Sequence, residues 1–337
     1  MSKPFIIPIF LPHAGCPHRC VFCNQTAITG NNEPFPSAEG LRGEIDRLMP
    51  YKGKNRGKTE ISFFGGNFLG LPPAKIRMCL DVAAAYADLQ MIDNIRCSTR
   101  PDTITPQTLK QIAPYPVRTI EIGVQSMAEN VLALSRRGHD AAAVRQAMAL
   151  LKRTGYQTGI QIMIGLPGDN AVAAALTARE IVEMAPDFVR IYPTLVIKGS
   201  PLARWYGEGR YTPLSLAACI IRLKKLYHLF TENQIKVIRM GLQATEGLSA
   251  DNVMAGPYHP ALGHMVLSAI MLDQAMHELQ QISPARHHIT LRIHPKSISR
   301  MQGLNKQNLA VLKDAFNLTR ICLLADAEMP ELSVIAE

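Results

Sequence analysis

Three cysteines dominate the chemistry that this chain can carry. Cys16, Cys20 and Cys23 stand in GCPHRCVFCNQ with Cys-x3-Cys-x2-Cys spacing, directly after the first β-branched run. Thiolates are soft ligands suited to zinc and iron. A structural zinc wants four protein ligands, and a fourth nearby cysteine is missing, so a zinc knuckle would have to recruit His13 or His18. Three cysteines on a cubane 4Fe-4S cluster instead leave one iron open to a substrate or cofactor, whereas full cysteine coordination suits a closed electron-transfer site. A total of seven cysteines is odd, and three within eight positions is poor spacing for a disulfide scaffold, so metal binding is the better reading. Cys79, Cys97, Cys219 and Cys322 are scattered through helix and strand patterns and read as small buried hydrophobes.

A loop of this kind needs a scaffold. From Phe5 to about Met240 short β-branched or aromatic runs alternate with longer amphipathic stretches, the βαβα rhythm of a parallel sheet. Strands are predicted at 6–10, 60–64, 95–99, 119–124, 158–164, 188–191 and 236–239, and helices at 74–89, 141–153, 171–184 and 214–232. Polar and glycine-containing segments follow the C-terminal ends of successive strands, where a barrel collects its active site. The expected fold is therefore α/β, a partial (β/α)6 TIM barrel, with an open doubly wound sheet as the alternative. Beyond Arg239 a Gly-, Asn- and Pro-rich loop and a long helix at about 262–281 lead to a small α+β pattern. The expected domains are 1–245, a connector at 246–282, and a module at 283–337. The 337 residues carry a formal charge of +9 with 47% hydrophobic side chains, which excludes disorder as the main state. No window approaches the roughly 18 apolar residues of a membrane span. The N-terminus lacks a secretory pattern, so a cytoplasmic protein is expected.

The segments after the strands point further. Phe64-Gly65-Gly66-Asn67-Phe68 follows the second strand, Ser98-Thr99-Arg100-Pro101-Asp102 the third, and Gly123-Val124-Gln125-Ser126 the fourth, with Arg136-Arg137-Gly138-His139 beyond it; Ile162-Met163-Ile164-Gly165-Leu166-Pro167-Gly168 follows the fifth. Together with the cysteine triad they resemble the radical S-adenosylmethionine (SAM) superfamily. That resemblance implies that Cys16, Cys20 and Cys23 hold a 4Fe-4S cluster, that its open iron chelates SAM, and that one electron cleaves SAM to a 5′-deoxyadenosyl radical. It places Phe22, Gly65, Gly66, Asn67, Ser98, Arg100, Gln125, Ser126, Arg136, Ile164 and Leu166 around the cofactor. It also implies an electron donor such as flavodoxin or ferredoxin. Each residue has a plainer role open to it, from loop glycine to helix-end arginine.

Phrases such as STRPD, GYQTGIQIMIGLPGD and GPYHPALG narrow the resemblance, over roughly residues 5 to 265, to the radical region of the elongator catalytic subunit, with more distant kinship to oxygen-independent coproporphyrinogen oxidase. This relation implies RNA modification, although only about seventy residues follow GPYHPALG, too few for a fused acetyltransferase. Tyr192, Lys198, Tyr258 and His259 are candidate substrate-side residues, with an exit loop and helix capping as their structural readings. Between 283 and 325 seven basic residues face one acidic residue, a charge of +6. A βααβ pattern with Gly303-Leu304-Asn305-Lys306 between its helices looks like part of a KH-type RNA-binding module, although Lys306 stands where the second glycine belongs. Arg300, Gly303 and Lys306 are its candidate RNA contacts, and residues 52–58 form a second basic patch. RNA is the expected partner, with a small molecule or protein substrate, or a non-catalytic metal-stabilised RNA-binding protein, as the alternatives. The oligomeric state is left open.

Overall fold

The computed structural model describes residues 4–29, 35–53, 57–242, 248, 252–282 and 287–337. The expected basic residues Lys54, Arg56 and Arg286 lie outside the described residues. The strands are β1 (Phe5–Leu11), β2 (Thr59–Gly65), β3 (Asn94–Thr99), β4 (Val117–Gln125), β5 (Gln157–Ile164), β6 (Phe188–Pro193), β7 (Val196–Ile197), β8 (Lys236–Met240), β9 (Val253–Ala255), β10 (His288–Ile293), β11 (Arg320–Ala325) and β12 (Val334–Ala336). The chain divides into two compact units, one of Met1–Ser215 with Leu229–Tyr258, the other of Leu216–His228 with His259–Glu337.

In the first unit seven strands form one sheet in the order β1-β2-β3-β4-β5-β6-β8, every neighbouring pair parallel. This consecutive order is the half-barrel expected from the βαβα rhythm, with β8 adding a seventh strand to the six units. Helices start where side chains satisfy their orphan amides: Asp140 accepts from Ala143 N–H ahead of Ala141–Thr154, Asn170 from Val172 and Ala173 ahead of Ala171–Met184, and Thr105 forms a capping box before Pro106–Ile112. Gly155 ends the first of these in the left-handed region at φ 75°.

The two faces of the sheet differ. Ile7, Ile9, Ile61, Phe63, Ile95, Cys97, Ile120, Ile122, Ile160, Ile162, Val189 and Ile191 are all buried on the face packed by helices. The alternate positions carry Glu60, Arg96, Glu121, Gln161 and Arg190 on the concave face. Arg96 reaches Glu60 at 2.6 Å and Glu121 at 3.0 Å, and Arg190 reaches Glu121 at 2.8 Å. Arg96 also covers the Phe188 ring at 5.4 Å, and that ring fills the space over Gly159, where a Cβ would lie 2.3 Å from it.

A second polar knot lies at the strand ends. Asn67 is buried; its Nδ2 donates to Gly15 O at 2.9 Å, while its Oδ1 accepts from Thr99 Oγ1 at 2.6 Å, Thr103 Oγ1 at 2.9 Å and Arg100 N–H at 3.0 Å. Its own N–H donates to Ala14 O at 2.7 Å. One amide therefore ties together the turns after β1, β2 and β3.

The second unit contains Leu262–Gln280, the βααβ run from β10 to β11, and β12. β10 pairs parallel with β11 and antiparallel with β12. Its core gathers Met271, Leu279, Leu291, Ile293, Met301 and Leu312. The strand β12 within the acidic tail has no counterpart in the sequence reading. Among the described residues no helix is long and apolar enough to cross a membrane.

Three substitutions test what holds the concave face and the polar knot at the strand ends. Glu121→Ala leaves two buried guanidinium groups short of a carboxylate and is expected to cost about 3–5 kcal/mol in urea unfolding; a loss below about 1 kcal/mol would show that the network is not structural. Asn67→Ala is expected to cost about 2–4 kcal/mol, and Thr103→Val, which removes one of three donors to the same oxygen, about 1 kcal/mol. Equal small losses at both positions would contradict the role given to the Asn67 amide.

Candidate cofactor site at the strand ends

The cysteine loop leaves β1 through His13 and Gly15, both with positive φ. A Cβ on Gly15 would sit 2.2 Å from Asn67 O, so only glycine allows the loop to lie against the turn after β2. The imidazole of His13 accepts from the Gln25 N–H at 3.0 Å through Nε2, and Gln25 donates to Gly65 O at 2.6 Å. That hydrogen bond occupies the lone pair with which His13 Nε2 would bind zinc. Among the described residues no three His, Cys, Asp or Glu side chains are gathered to hold a single metal ion. Val21 N–H donates to Ser135 O at 3.1 Å, and Cys23 N–H to Cys20 O at 3.1 Å, closing the triad into a compact turn.

Cys16, Cys20 and Cys23 line one cavity of about 300 Å³ at the C-terminal ends of the strands. Burial pushes the Cys23 thiol up to about 12, reinforced by the neighbouring Cys20 and Cys16. Burial also raises Cys16, against the opposing pull of Arg137 and Arg100. Arg137 Nη1 donates to Cys20 Sγ at 3.3 Å, and Nη2 to Gly123 O. His139 is lowered to about 4 by burial and by the Arg137 charge, which keeps it neutral near pH 7.

Many of the residues singled out from the sequence meet in this cavity. Phe22, Gly65, Gly66, Ser98, Arg100, Gln125 and Tyr192 all line it. Arg100 is fully buried and grips Asp102 with Nε and Nη2 at 2.9 and 3.0 Å, while its Nη1 has no partner among the described residues. Gln125 sits at φ 71°, where a register shift ends β4, and its buried Oε1 likewise has no partner among them. A donor and an acceptor are thus held in the wall with their remaining capacity unused. Phe22 packs against Leu166, Ala128 and Val131, so Leu166 supports the aromatic ring from behind.

Other residues lie elsewhere. Asn67 does not line the cavity; it holds the turns that do. Gly66 is a glycine first for packing reasons, because a Cβ there would lie 2.0 Å from Ala14 O. Ser126 faces away, with its Oγ 3.2 Å from Thr177 Oγ1 and accepting from Ala128 N–H. Arg136 is exposed and its neighbour Arg137 is the inward arginine: the left-handed φ of 50° at Arg136 ends the helix Glu129–Leu134 and turns the next side chain toward the cysteines. Ile164 has the wrong parity, since β5 sends Gln161 and Met163 into the cavity and Ile160, Ile162 and Ile164 to the helices. Lys198 is exposed and outside the cavity. Tyr258 packs with Leu195, Ile197 and Leu248. In the second unit His259 Nδ1 accepts from Ala261 N–H at 3.0 Å, a turn bond just ahead of the helix Leu262–Gln280, whose N-terminus has no side-chain cap.

Glu121, Gln161, Arg190 and Arg239, which sequence reasoning missed, also line the cavity, as does Met163, which it included in the segment after the fifth strand without singling it out. Their signal was present: each is a polar or flexible residue at an alternate position of an otherwise apolar strand. In the second unit Gly303, at φ 73°, ends the helix Ile298–Gln302, and a Cβ there would lie 2.9 Å from Asn308 Oδ1. Arg300 pairs with Glu331 at 3.7 Å, Lys296 with Glu331 at 3.0 Å, and Arg292 with Glu337 at 2.6 Å. Lys306 is exposed and has no carboxylate partner among the described residues.

Comparison with known proteins agrees with this geometry. The Radical SAM superfamily model matches residues 10–197, and the Radical_SAM C-terminal domain model residues 186–271. The tRNA uridine(34) acetyltransferase of Dehalococcoides mccartyi is 28% identical over 230 residues, covering 59% of this chain and 50% of that protein. Elongator complex protein 3 of Saccharomyces cerevisiae is 31% identical over 218 residues, 58% of this chain and 38% of that protein. The chain thus spans about half the length of the first of these relatives and less of the second. The archaeal Elp3 of Methanocaldococcus infernus, solved with an N-terminal deletion, superposes with a TM-score of 0.63 at 20% identity, covering 86% of this chain and 71% of that one. With more than half of its 337 residues matched by the superfamily model, and three cysteines in the loop after β1, the chain belongs to the radical SAM superfamily of enzymes.

Proposed function

We propose that this chain binds a 4Fe-4S cluster through Cys16, Cys20 and Cys23, holds SAM across the strand ends, and uses the resulting radical to modify RNA. The observation that carries the reading is one cavity lined by three thiols together with a buried donor, Arg100 Nη1, and a buried acceptor, Gln125 Oε1, that the protein itself leaves unpaired. A ligand with both a carboxylate and amino or hydroxyl groups suits that pair, and SAM carries all of them. When bound, the cluster supplies one electron for breaking a carbon–sulfur bond of SAM, which yields methionine and a 5′-deoxyadenosyl radical.

The protein's own contribution is positioning and electrostatics. Arg137, donating to Cys20 Sγ, sets a fixed cation beside that sulfur. Arg100 is fixed by its two hydrogen bonds to Asp102, so its third nitrogen is aimed without further loss of side-chain freedom. Phe22 and Met163 present an apolar surface that suits an adenine ring. For substrate, the RNA reading draws on the relatives whose names specify a tRNA uridine and on the exposed Lys306, Lys313 and Arg320 of the second unit. A flavodoxin or ferredoxin is the class of donor that fits a one-electron demand.

Cys20→Ala is expected to abolish the brown visible absorbance of the anaerobically reconstituted protein, because two thiolates cannot hold the cubane. Cys79→Ala, in a buried helix position, keeps it. An unchanged spectrum in Cys20→Ala would remove the cluster assignment. For the reaction, 5′-deoxyadenosine is measured under argon with dithionite and SAM, adding cellular RNA either intact or after nuclease digestion. Intact RNA is expected to stimulate formation about tenfold over the digest, since binding energy from the whole substrate drives the chemical step. Equal slow formation in both would retain the radical chemistry and discard RNA as substrate.

A further inference from the structure

The arginines on the concave face outnumber the carboxylates that pair with them. Glu60 pairs with Arg96, and Glu121 is shared between Arg96 and Arg190. Arg239, on β8, lines the same cavity and has no carboxylate or hydrogen-bond partner among the described residues. The sheet register places Arg190 and Arg239 directly opposite one another on β6 and β8, with Gln161 opposite Arg190 on the other side. Like charges facing each other across strands are destabilising. A half-buried guanidinium loses hydration, and among the described residues nothing in the wall compensates it. The missing element is a negative charge.

This wall is distinct from the cofactor end of the cavity. The cysteines, Arg100 and Arg137 sit on the segments after β1, β3 and β4, and Gln125 is the last residue of β4, whereas Gln161, Arg190, Tyr192 and Arg239 lie within β5, β6 and β8. Arg190 is held by Glu121 and by a 3.4 Å hydrogen bond from its Nη1 to Tyr192 Oη, so its fork is already oriented. Guanidinium forks match phosphate oxygens in spacing and charge. We propose that Arg239, with Arg190 beside it, binds a phosphate of the nucleotide undergoing modification, so that the nucleoside lies between this wall and the cysteine loop. The existence of the anion site stands on the charge imbalance alone; its assignment to a nucleotide rests on the RNA reading above.

The test uses the full chain, reconstituted with its cluster and kept anaerobic. Thermal unfolding is followed in sodium chloride, sodium phosphate and sodium acetate at matched ionic strength. Phosphate is expected to raise the melting temperature of the wild type above that in chloride, and above that in acetate, by preferential binding to the folded state. The rise should vanish in Arg239→Gln and persist in Arg239→Lys. In chloride, Arg239→Gln should melt no lower than the wild type, because it removes an unpaired cation beside another. No phosphate rise in the wild type, an equal rise in Arg239→Gln, or a lower melting temperature of Arg239→Gln in chloride would each overturn the anion site. An acetate effect as large as that of phosphate would overturn the phosphate assignment. A second arm compares binding of a short single-stranded RNA with the same sequence carrying uncharged methylphosphonate linkages. Arg239→Gln should weaken the first about tenfold and leave the second unchanged. RNA that fails to bind the wild type, while the phosphate shift holds, would overturn the nucleotide assignment and the RNA reading but not the anion site.

Discussion

The geometry of the cavity depends on a single buried amide. Asn67, in the turn after β2, accepts three hydrogen bonds at Oδ1 and donates one from Nδ2, and its partners belong to the turn after β1 and to the end of β3 with the turn that follows. Each turn alone is an irregular loop, with a backbone that the sheet does not satisfy. Tied together, they become a rigid rim: the loop that bears the cysteines is fixed to Gly15, and the start of the Arg100 segment is fixed through its own N–H. Because the amide needs both an acceptor and a donor at one buried point, neither a carboxylate nor a hydroxyl of similar size can replace it. The glycines around it follow from the same constraint. Gly15, Gly66 and Gly70 all lie where a Cβ would collide with backbone or with Asn67 itself.

From this rim the sheet descends into a concave face that carries charge. A parallel sheet covered on both faces reads as near-continuous apolar runs; this one alternates, because only its convex face is packed by helices. The buried arginines and glutamates on the other face cost desolvation, and they persist because each carboxylate is held by hydrogen-bonded guanidinium groups. Such a network confers rigidity and a directional field more than stability. Tyr192 is drawn into it through Arg190, which turns a strand-end tyrosine into part of the cavity wall.

The scaffold was legible in the sequence because each βα unit is locally encoded. Strand and helix periods and the cysteine spacing are short-range signals. What escaped was long-range. That Asn67 faces the inside of a turn, and that Arg137 rather than Arg136 points inward, follow from a left-handed backbone at Arg136 and from partners 14 to 117 residues away. Ile164 was misjudged because a platform of apolar residues was read without the strand's two-residue period, which sends Met163 inward. Glu121 and Arg190 were missed because a charged residue in a strand says little until its partner, 69 residues distant, is beside it.

The second unit shows the same limit in electrostatics. Counted along the chain, residues 283–325 are strongly basic and the tail after them is acidic, as though a cationic module were followed by a separate appendage. Folding brings the two together. β12 returns antiparallel beside β10, and Arg292, Lys296 and Arg300 meet Glu337 and Glu331 from that tail. These pairs are largely exposed and hold little energy, yet they change what a polyanion would meet: part of the linear charge is already answered from within. The charge left for a phosphate backbone lies at Lys306, Lys313 and Arg320, so the outward field of this unit is set by its topology rather than by its composition.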